Sequence, residues 1–427
     1  MEIVILGNGP AAVSALEVIR EFDRDSRITL ISRETEPFYS PCPLADYIEG
    51  AVSREHLFLR EEGFYATMGV ATRFGWEAVR VDTAAQEVVA VPVAGAESRK
   101  EVRVPYDRLL IATGARALLP PIPGLEGGKR GLFVLKTLAD AEAILAYLGE
   151  ARRAVVIGAG FIGLEAAQAL ARRGLAVTVV EALDRVLPQM LDAEMAGYVQ
   201  AHLERHGVQV MVGAPVEAVL GDGQVSGVMA GGRELPCDLV VCAVGVRPNL
   251  APVQDTDIAT HVGILVDEHM QTSRPGVFAA GDVVEAMDIF GERRVLPTWP
   301  NAVAGGRVAG ANMVGVPRRF TGLVNANVLR LFDLPVVALG RREGDHVLRW
   351  ERGGVVKKAT LQGDRLVGLQ MVGQVDGAGL FLELIKKGRP VTPFGEDLLA
   401  PDFNYGRLIR PIFRNGKGYV ALRALEG

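Results

Sequence analysis

Short, nearly unbroken apolar runs alternate along the chain with glycine turns and amphipathic stretches, and the pattern occurs twice. The first copy is "EIVILG" (2–7), the stretch "NGPAAVSALEVIREF" that follows it, and "RITLIS" (27–32). The second is "RAVVIG" (153–158), then "AGFIGLEAAQALARRG", then "LAVTVVE" (175–181), with Gly174 where a helix C-cap is expected. Each copy reads as strand, tight turn, helix, strand. The continuous apolar strands suit a parallel sheet covered on both faces. From Thr83 to Val104 the hydrophobicity alternates instead, which predicts an antiparallel hairpin inserted in the first half. The proline-rich "ALLPPIPGLEGG" (117–128) and the stretch "VGVRPN" (244–249) read as crossovers out of the first domain and back into it. Beyond Arg318, the runs "LPVVALG", "VVKKATL" and "RLVGLQMVG" read as strands and "GAGLFLELIKKG" (377–388) as a helix. The predicted fold class is α/β. Two Rossmann-like dinucleotide-binding domains, one discontinuous over 1–116 and 246–318 and one over 117–245, precede an α+β domain over 319–427.

Composition narrows the function. Apolar residues at 49% and charged residues at 23% describe a globular chain with a large core. A net charge of -5 argues against a nucleic-acid partner, and the pairs Arg318–Arg319 and Arg341–Arg342 are too short to reverse it. No apolar run is long enough to span a bilayer, so no membrane role is expected. The opening "MEIVILGNGP" lacks a basic n-region and reads as a first strand, and the expected location is cytoplasmic. Three cysteines, Cys42, Cys237 and Cys242, are too few for a disulfide framework. Cys237 and Cys242 in "CDLVVC" have a redox-like spacing, but on a strand they point to opposite faces roughly 16 Å apart. A disulfide requires Cα atoms within about 7 Å. His202 and His206, one helical turn apart, lack a visible third ligand, so no metal site is expected.

The glycine turns carry the chemistry. "GNGPAA" (7–12) fits G-x-G-x-x-A: Gly7 for the tight turn, Gly9 for close approach of a pyrophosphate, Ala12 for helix–strand packing, with Pro10 and Ala11 opening the helix whose N–H groups meet the phosphates. Position 32, where a ribose-binding carboxylate is expected, is Ser32, and the nearest acid is Glu34. "GAGFIG" (158–163) fits G-x-G-x-x-G fully, through Gly158, Gly160, Phe161, Ile162 and Gly163. Glu181 ends the following strand, where a carboxylate accepts from both ribose hydroxyls and repels a 2′-phosphate. That favours NADH over NADPH, with Arg185 as the nearby group able to accommodate the phosphate.

Five stretches in order, "GNGPAA", "ATGA", "GAGFIGLE", "AVGVRPN" and "AAGD", make the chain resemble the flavin-dependent pyridine nucleotide–disulfide oxidoreductases with the glutathione-reductase-like fold. The branch that holds coenzyme A disulfide reductases and NADH oxidases is the nearest. The resemblance implies FAD in the discontinuous domain, NADH in the second, and a homodimer formed through the C-terminal domain. It implies that Asp282 binds the FAD ribityl chain, although Asp282 also reads as a helix N-cap ahead of "VVEAM". It further implies that Glu165 holds the nicotinamide amide, that Phe161 covers the flavin, and that Thr113, Gly114, Gly245 and Gly281 line the cofactor sites. No histidine follows His346, so the C-terminal His–Glu pair of the glutathione-reductase-like enzymes is absent. The C-terminal tyrosine of coenzyme A disulfide reductases aligns best with Leu399, with Tyr405 six residues on.

"SPCPLADYIEG" resembles the redox-cysteine segment of that branch, with Cys42 at the matching position. Pro43 suits a first helical position. Cys42 would then be the N-cap, where the helix dipole favours a thiolate able to exchange with an external disulfide. The same stretch equally resembles "Y-S-R-P-L-L" segments of nitrite- and rubredoxin-reductase-like flavoproteins, which have no such cysteine. Two functions follow. One is an NADH oxidoreductase passing electrons through FAD to a disulfide, polysulfide or oxygen by way of Cys42. The other is a reductase delivering electrons to an iron–sulfur or rubredoxin-like protein without it. The acceptor is accordingly a small molecule or a small protein.

Overall fold

The computed structural model describes residues 1–61, 63–93, 100–126, 128–401 and 403–404; Tyr405 lies outside the described residues. Among them, eight α-helices occur: α1 (Pro10–Phe22), α2 (Leu44–Glu49), α3 (Gly63–Thr67), α4 (Leu138–Tyr147), α5 (Phe161–Arg172), α6 (Ala193–Arg205), α7 (Trp299–Met313) and α8 (Ala378–Lys387). None of the described helices is long and apolar enough to cross a membrane. The chain forms two compact units, one from Met1–Asp184 with Glu204–Val324, the other from Arg185–Leu203 with the chain from Asn325 onward.

Two parallel five-stranded sheets organise the first unit. In one, the order is Val277–Ala279, Arg108–Ile111, Glu2–Leu6, Arg27–Ser32, Val70–Phe74. In the other it is Gln209–Met211, Ala176–Val180, Arg153–Ile157, Leu239–Cys242, Leu132–Val134. In both, the strand that feeds a glycine turn is central, so its residues are sealed on both faces. Ile5 and Val156 are wholly buried, which explains the unbroken apolar runs. The expected hairpin is a three-stranded antiparallel sheet, Trp76–Asp82, Glu87–Pro92 and Val102–Pro105. The two crossovers meet: Ala115–Ala117 pairs antiparallel with Val246–Pro248, so exit and return form one ribbon. "VVEAM" is not a helix. Val284–Met287 is a strand, paired in parallel with Ile264–Leu265 and antiparallel with Arg293–Arg294.

Helix α1 packs against α7 through small residues. A Cβ on Gly306 would lie 2.2 Å from the Ala11 carbonyl oxygen, and one on Gly310 would lie 2.5 Å from that of Ala15. The two backbones therefore touch, and only glycine at these α7 positions permits it.

The second unit holds an antiparallel sheet in the order Ala326–Leu331, Leu334–Gly340, Arg365–Val372, Val355–Gln362, His346–Arg352. Helix α8 buries Phe381, Leu384 and Ile385, the one-face spacing expected of it. Residues 185–203 lie within the stretch expected to form the second nucleotide domain, yet pack here. Lys358, almost fully buried, reaches the Asp192 and Glu194 carboxylates at 2.6 Å each, and Gln370 accepts the Asp192 N–H at 2.9 Å. His202 lies 3.0 Å from the Asp333 carboxylate, a neighbour that helical periodicity could not reveal.

Candidate active site

The first glycine turn is built as its motif requires. Gly7 has φ +107°, and a Cβ there would lie 2.2 Å from the Ala112 carbonyl oxygen. Gly9, the N-cap of α1, makes no side-chain cap, and a Cβ there would meet nothing within 4 Å. A backbone packed tightly at one glycine and open at the next leaves the α1 N–H groups facing free space, which suits a diphosphate. Asn8 braces the turn: its Nδ2 donates to the Glu36 carbonyl at 3.3 Å, and its Oδ1 accepts from the Tyr65 hydroxyl at 2.6 Å. Pro10 opens α1, and Ala11 and Ala12 are buried.

Gly281 sits beside this turn, since its Cβ would lie 3.0 Å from that of Ala11 and 3.8 Å from that of Ala302 in α7. Asp282 is the next residue in the chain, and Lys136 lies 3.2 Å from its carboxylate. The N-cap of α7, Thr298, makes no cap hydrogen bond, and its buried Oγ1 has no partner among the described residues. Trp299 stacks on Phe38 at 5.7 Å. A buried hydroxyl without a partner and an uncapped helix start fit a bound polar group, as the FAD assignment requires. Sequence reading missed Lys136 and Thr298. The second had a signal, a threonine two residues before a proline at the start of a helix; the first had none.

Glu34 lies two residues beyond the strand Arg27–Ser32. The Tyr39 hydroxyl donates to its Oε2 and accepts the Leu138 N–H at 2.9 Å, at the start of α4. Burial and the Glu34 charge push the Tyr39 phenol far above its ordinary range. Thr113 donates to the Asn249 carbonyl at 2.9 Å, and Gly114 and Gly245, with φ of +66° and +121°, flank the crossover ribbon.

The second glycine turn repeats the logic. Gly158 has φ +101°, with a Cβ 2.6 Å from the Ala243 carbonyl oxygen, and a Cβ on Gly163 would lie 2.0 Å from that of Gly158. Gly160, the N-cap of α5, again has nothing within 4 Å. Glu181 is buried at this turn: its carboxylate accepts the Ala159 N–H at 2.8 Å and the Leu183 N–H at 2.9 Å. Phe161 and Ile162 are half-buried in the first turn of α5. Burial pushes the Glu165 carboxyl up to about 7, and the charge of Asp46 on α2 adds to the shift.

Cys42 is exposed, and its N–H donates to the Ser40 hydroxyl at 3.3 Å. It is not the helix N-cap. That place belongs to Pro43, with φ -89° and ψ 23°, and α2 starts at Leu44. The Leu44 N–H reaches back to the Pro41 carbonyl at 3.4 Å, closing a turn that holds Cys42 one residue outside the expected place. Helix α2 itself is fixed to α5. Arg173 donates to the Ile48 carbonyl at 2.6 Å, and Glu49 meets Gln168 at 3.2 Å and Arg172 at 3.6 Å. Cys237 and Cys242 are buried free thiols, both pushed up by burial, Cys237 to about 12, which leaves them unreactive.

A family profile described as pyridine nucleotide-disulphide oxidoreductase matches residues 1–306. An NADH oxidase of Methanocaldococcus jannaschii is 34% identical over 398 residues, which span 87% of this chain and 88% of that protein. Among solved structures, a NAD-dependent persulfide reductase from A. fulgidus is 30% identical with a TM-score of 0.86, over 92% of this chain and 78% of that one. The covalent putidaredoxin reductase–putidaredoxin complex matches at 27% identity and a TM-score of 0.84, over 92% of this chain and 94% of that one.

Proposed function

Because the chain belongs to the pyridine nucleotide-disulphide oxidoreductase family, we propose that it carries electrons from NADH to an acceptor that reacts at Cys42. Membership makes it a flavin-dependent oxidoreductase with FAD and NADH as cofactors. FAD, when bound, supplies the two-electron relay between nucleotide and acceptor. The chain's own residues bind and orient. The first glycine turn, with Gly281, Asp282, Lys136 and the start of α7, holds the flavin nucleotide. The second, with Glu181, holds NADH and disfavours a 2′-phosphate. Glu165 orients the nicotinamide amide.

The observation that carries the reading is the pairing of two open glycine cradles with an exposed thiol on the segment leading into α2, the helix fixed to α5. A Cys42 thiolate attacks one sulfur of an acceptor disulfide or polysulfide, and the other sulfur leaves as a thiolate. Two-electron reduction then reopens the mixed disulfide. With Cys237 and Cys242 buried, the partner thiol comes from outside the chain. The likeness to an NAD-dependent persulfide reductase supports this reading. The likeness to putidaredoxin reductase supports a second, in which a small redox protein takes the electrons and Cys42 is a turn residue. We also assign the second unit to homodimerisation, because its edge strands carry Val328 and Val347 exposed at 67% and 48%.

Cys42→Ser tests the first reading against the second. The variant should lose turnover with disulfide or polysulfide while NADH still bleaches the flavin at an unchanged rate. Full turnover of the variant with the best acceptor among oxygen, coenzyme A disulfide, polysulfide and rubredoxin would remove the thiol mechanism.

A further inference from the structure

The contacts around the first glycine turn close into a ring. The strand Arg27–Ser32 abuts the turn, where the Gly7 N–H donates to the Ile31 carbonyl at 2.8 Å. The segment after that strand is tied to the turn twice. Asn8 donates to the Glu36 carbonyl at 3.3 Å, and Tyr65, which donates to Asn8, accepts the Phe38 N–H at 3.1 Å. Tyr39 then accepts the Leu138 N–H at 2.9 Å, and Lys136 meets Asp282 at 3.2 Å. Gly281 closes the ring, with a Cβ that would lie 3.0 Å from that of Ala11. Glu34 lies on this ring. Ser32, at the place where the motif calls for a ribose carboxylate, is buried, whereas Glu34, two residues on, is exposed. The other acids of the ring are committed. Glu36 is held by Arg54 at 3.1 Å, Asp140 accepts the Lys136 and Thr137 N–H groups at 3.0 and 2.8 Å, and Asp282 has Lys136. The Tyr39 phenol has one hydrogen. The Leu138 N–H can only donate, so it takes a lone pair of the phenol oxygen and leaves that hydrogen for Glu34 Oε2. Among the described residues nothing donates to Glu34 Oε1.

We propose that Glu34 accepts from the adenosine ribose hydroxyls of FAD, and that Tyr39 is the positioning residue that holds its carboxylate for them. This rests on the proposed flavin-nucleotide site at the first glycine turn. The phenol occupies Oε2, so the sugar is met by Oε1. A side chain already fixed by one bond loses less freedom when it makes a second. The Tyr39 ring is buried and meets Phe58 edge-on at 6.4 Å, so the hydroxyl is placed by packing that does not depend on it. A chain with serine at the end of the strand thereby still offers a negative charge to the sugar, from two residues further on.

The test is titration of the full chain, freed of its flavin, with FAD and with an analogue whose adenosine ribose lacks both hydroxyls, followed by quenching of flavin fluorescence. The wild-type protein should bind FAD about 10- to 100-fold more tightly than the analogue, as a hydrogen bond to a charged group allows. Glu34→Ala should bring the two affinities together by weakening FAD alone. Tyr39→Phe keeps the buried ring and should narrow the ratio by about 3- to 10-fold, with the analogue's affinity unchanged. In the Glu34→Ala background it should narrow nothing further. A wild-type protein that binds FAD and the analogue equally would overturn the role of Glu34. Equal weakening of both ligands by Tyr39→Phe would make Tyr39 a support of the fold and overturn its positioning role. A wild-type protein that binds neither would instead overturn the flavin site itself, and the proposal with it.

Discussion

Replacing Gly160 by alanine should separate nucleotide binding from folding. Gly160 has φ -77° and ψ -173°, a conformation open to any residue, and a Cβ there meets nothing within 4 Å. Alanine restricts the unfolded chain, worth about 0.4–1 kcal/mol in favour of the fold. It is also a poorer N-cap than glycine, at a cost of about 0.5–1 kcal/mol. The two nearly cancel, so the melting temperature should move by no more than about 4 °C. The same methyl fills the opening before the α5 N–H groups. A phosphate oxygen must come within about 2.9 Å of a nitrogen to accept its hydrogen bond, and a methyl in that opening holds it off. Losing one charged hydrogen bond costs about 1.5–3 kcal/mol, or about 10- to 100-fold in affinity. Anaerobic stopped-flow reduction of the FAD-loaded protein, run over a range of NADH concentrations, reads this directly. Half-saturation should rise by that factor while the limiting rate holds. Gly158→Ala is the contrast, because φ +101° and a 2.6 Å approach to the Ala243 carbonyl oxygen penalise the fold itself. Unchanged NADH saturation in Gly160→Ala, or a melting loss as large as that of Gly158→Ala, would refute the reasoning.

Glu181→Ala should narrow the preference for NADH over NADPH in reductive half-reaction rates; it should also destabilise the fold by about 1–3 kcal/mol, because the Ala159 and Leu183 N–H groups lose their acceptor. Equal rates for the two nucleotides in the wild-type protein would contradict the role given to this carboxylate. Light scattering at micromolar concentration should give the mass of a dimer, and Val328→Arg should weaken it. A wild-type monomer would remove the dimer assignment.

The amino-acid sequence by itself determined whatever depends on neighbours along the chain. Both glycine turns were legible because a positive φ and a close backbone approach demand glycine at Gly7 and Gly158 in any context. The strands beside them were legible because burial on both faces leaves continuous apolar runs, and α8 because one buried face repeats every three or four residues. Local signals also erred locally. The "VVEAM" stretch follows an acid as a capped helix would, but Val284 and Glu285 pair with Ile264–Leu265 and the stretch forms a strand. Pro43 suits the start of a helix, but the turn closed by Leu44 and Pro41 displaces Cys42 from the cap. The strands Ala326–Leu331 and His346–Arg352 carry charged and polar residues at a sheet edge and left no apolar run to read.

Tertiary structure alone decided the contacts between groups far apart in the chain. Lys136 meets Asp282, Tyr39 joins Glu34 to the start of α4, and Lys358 draws residues 185–203 into the second unit. No periodicity or turn preference encodes such pairs. A side chain's charge environment is set by which distant backbone the packing brings within a few ångströms, and the same packing sets how much water is left between them.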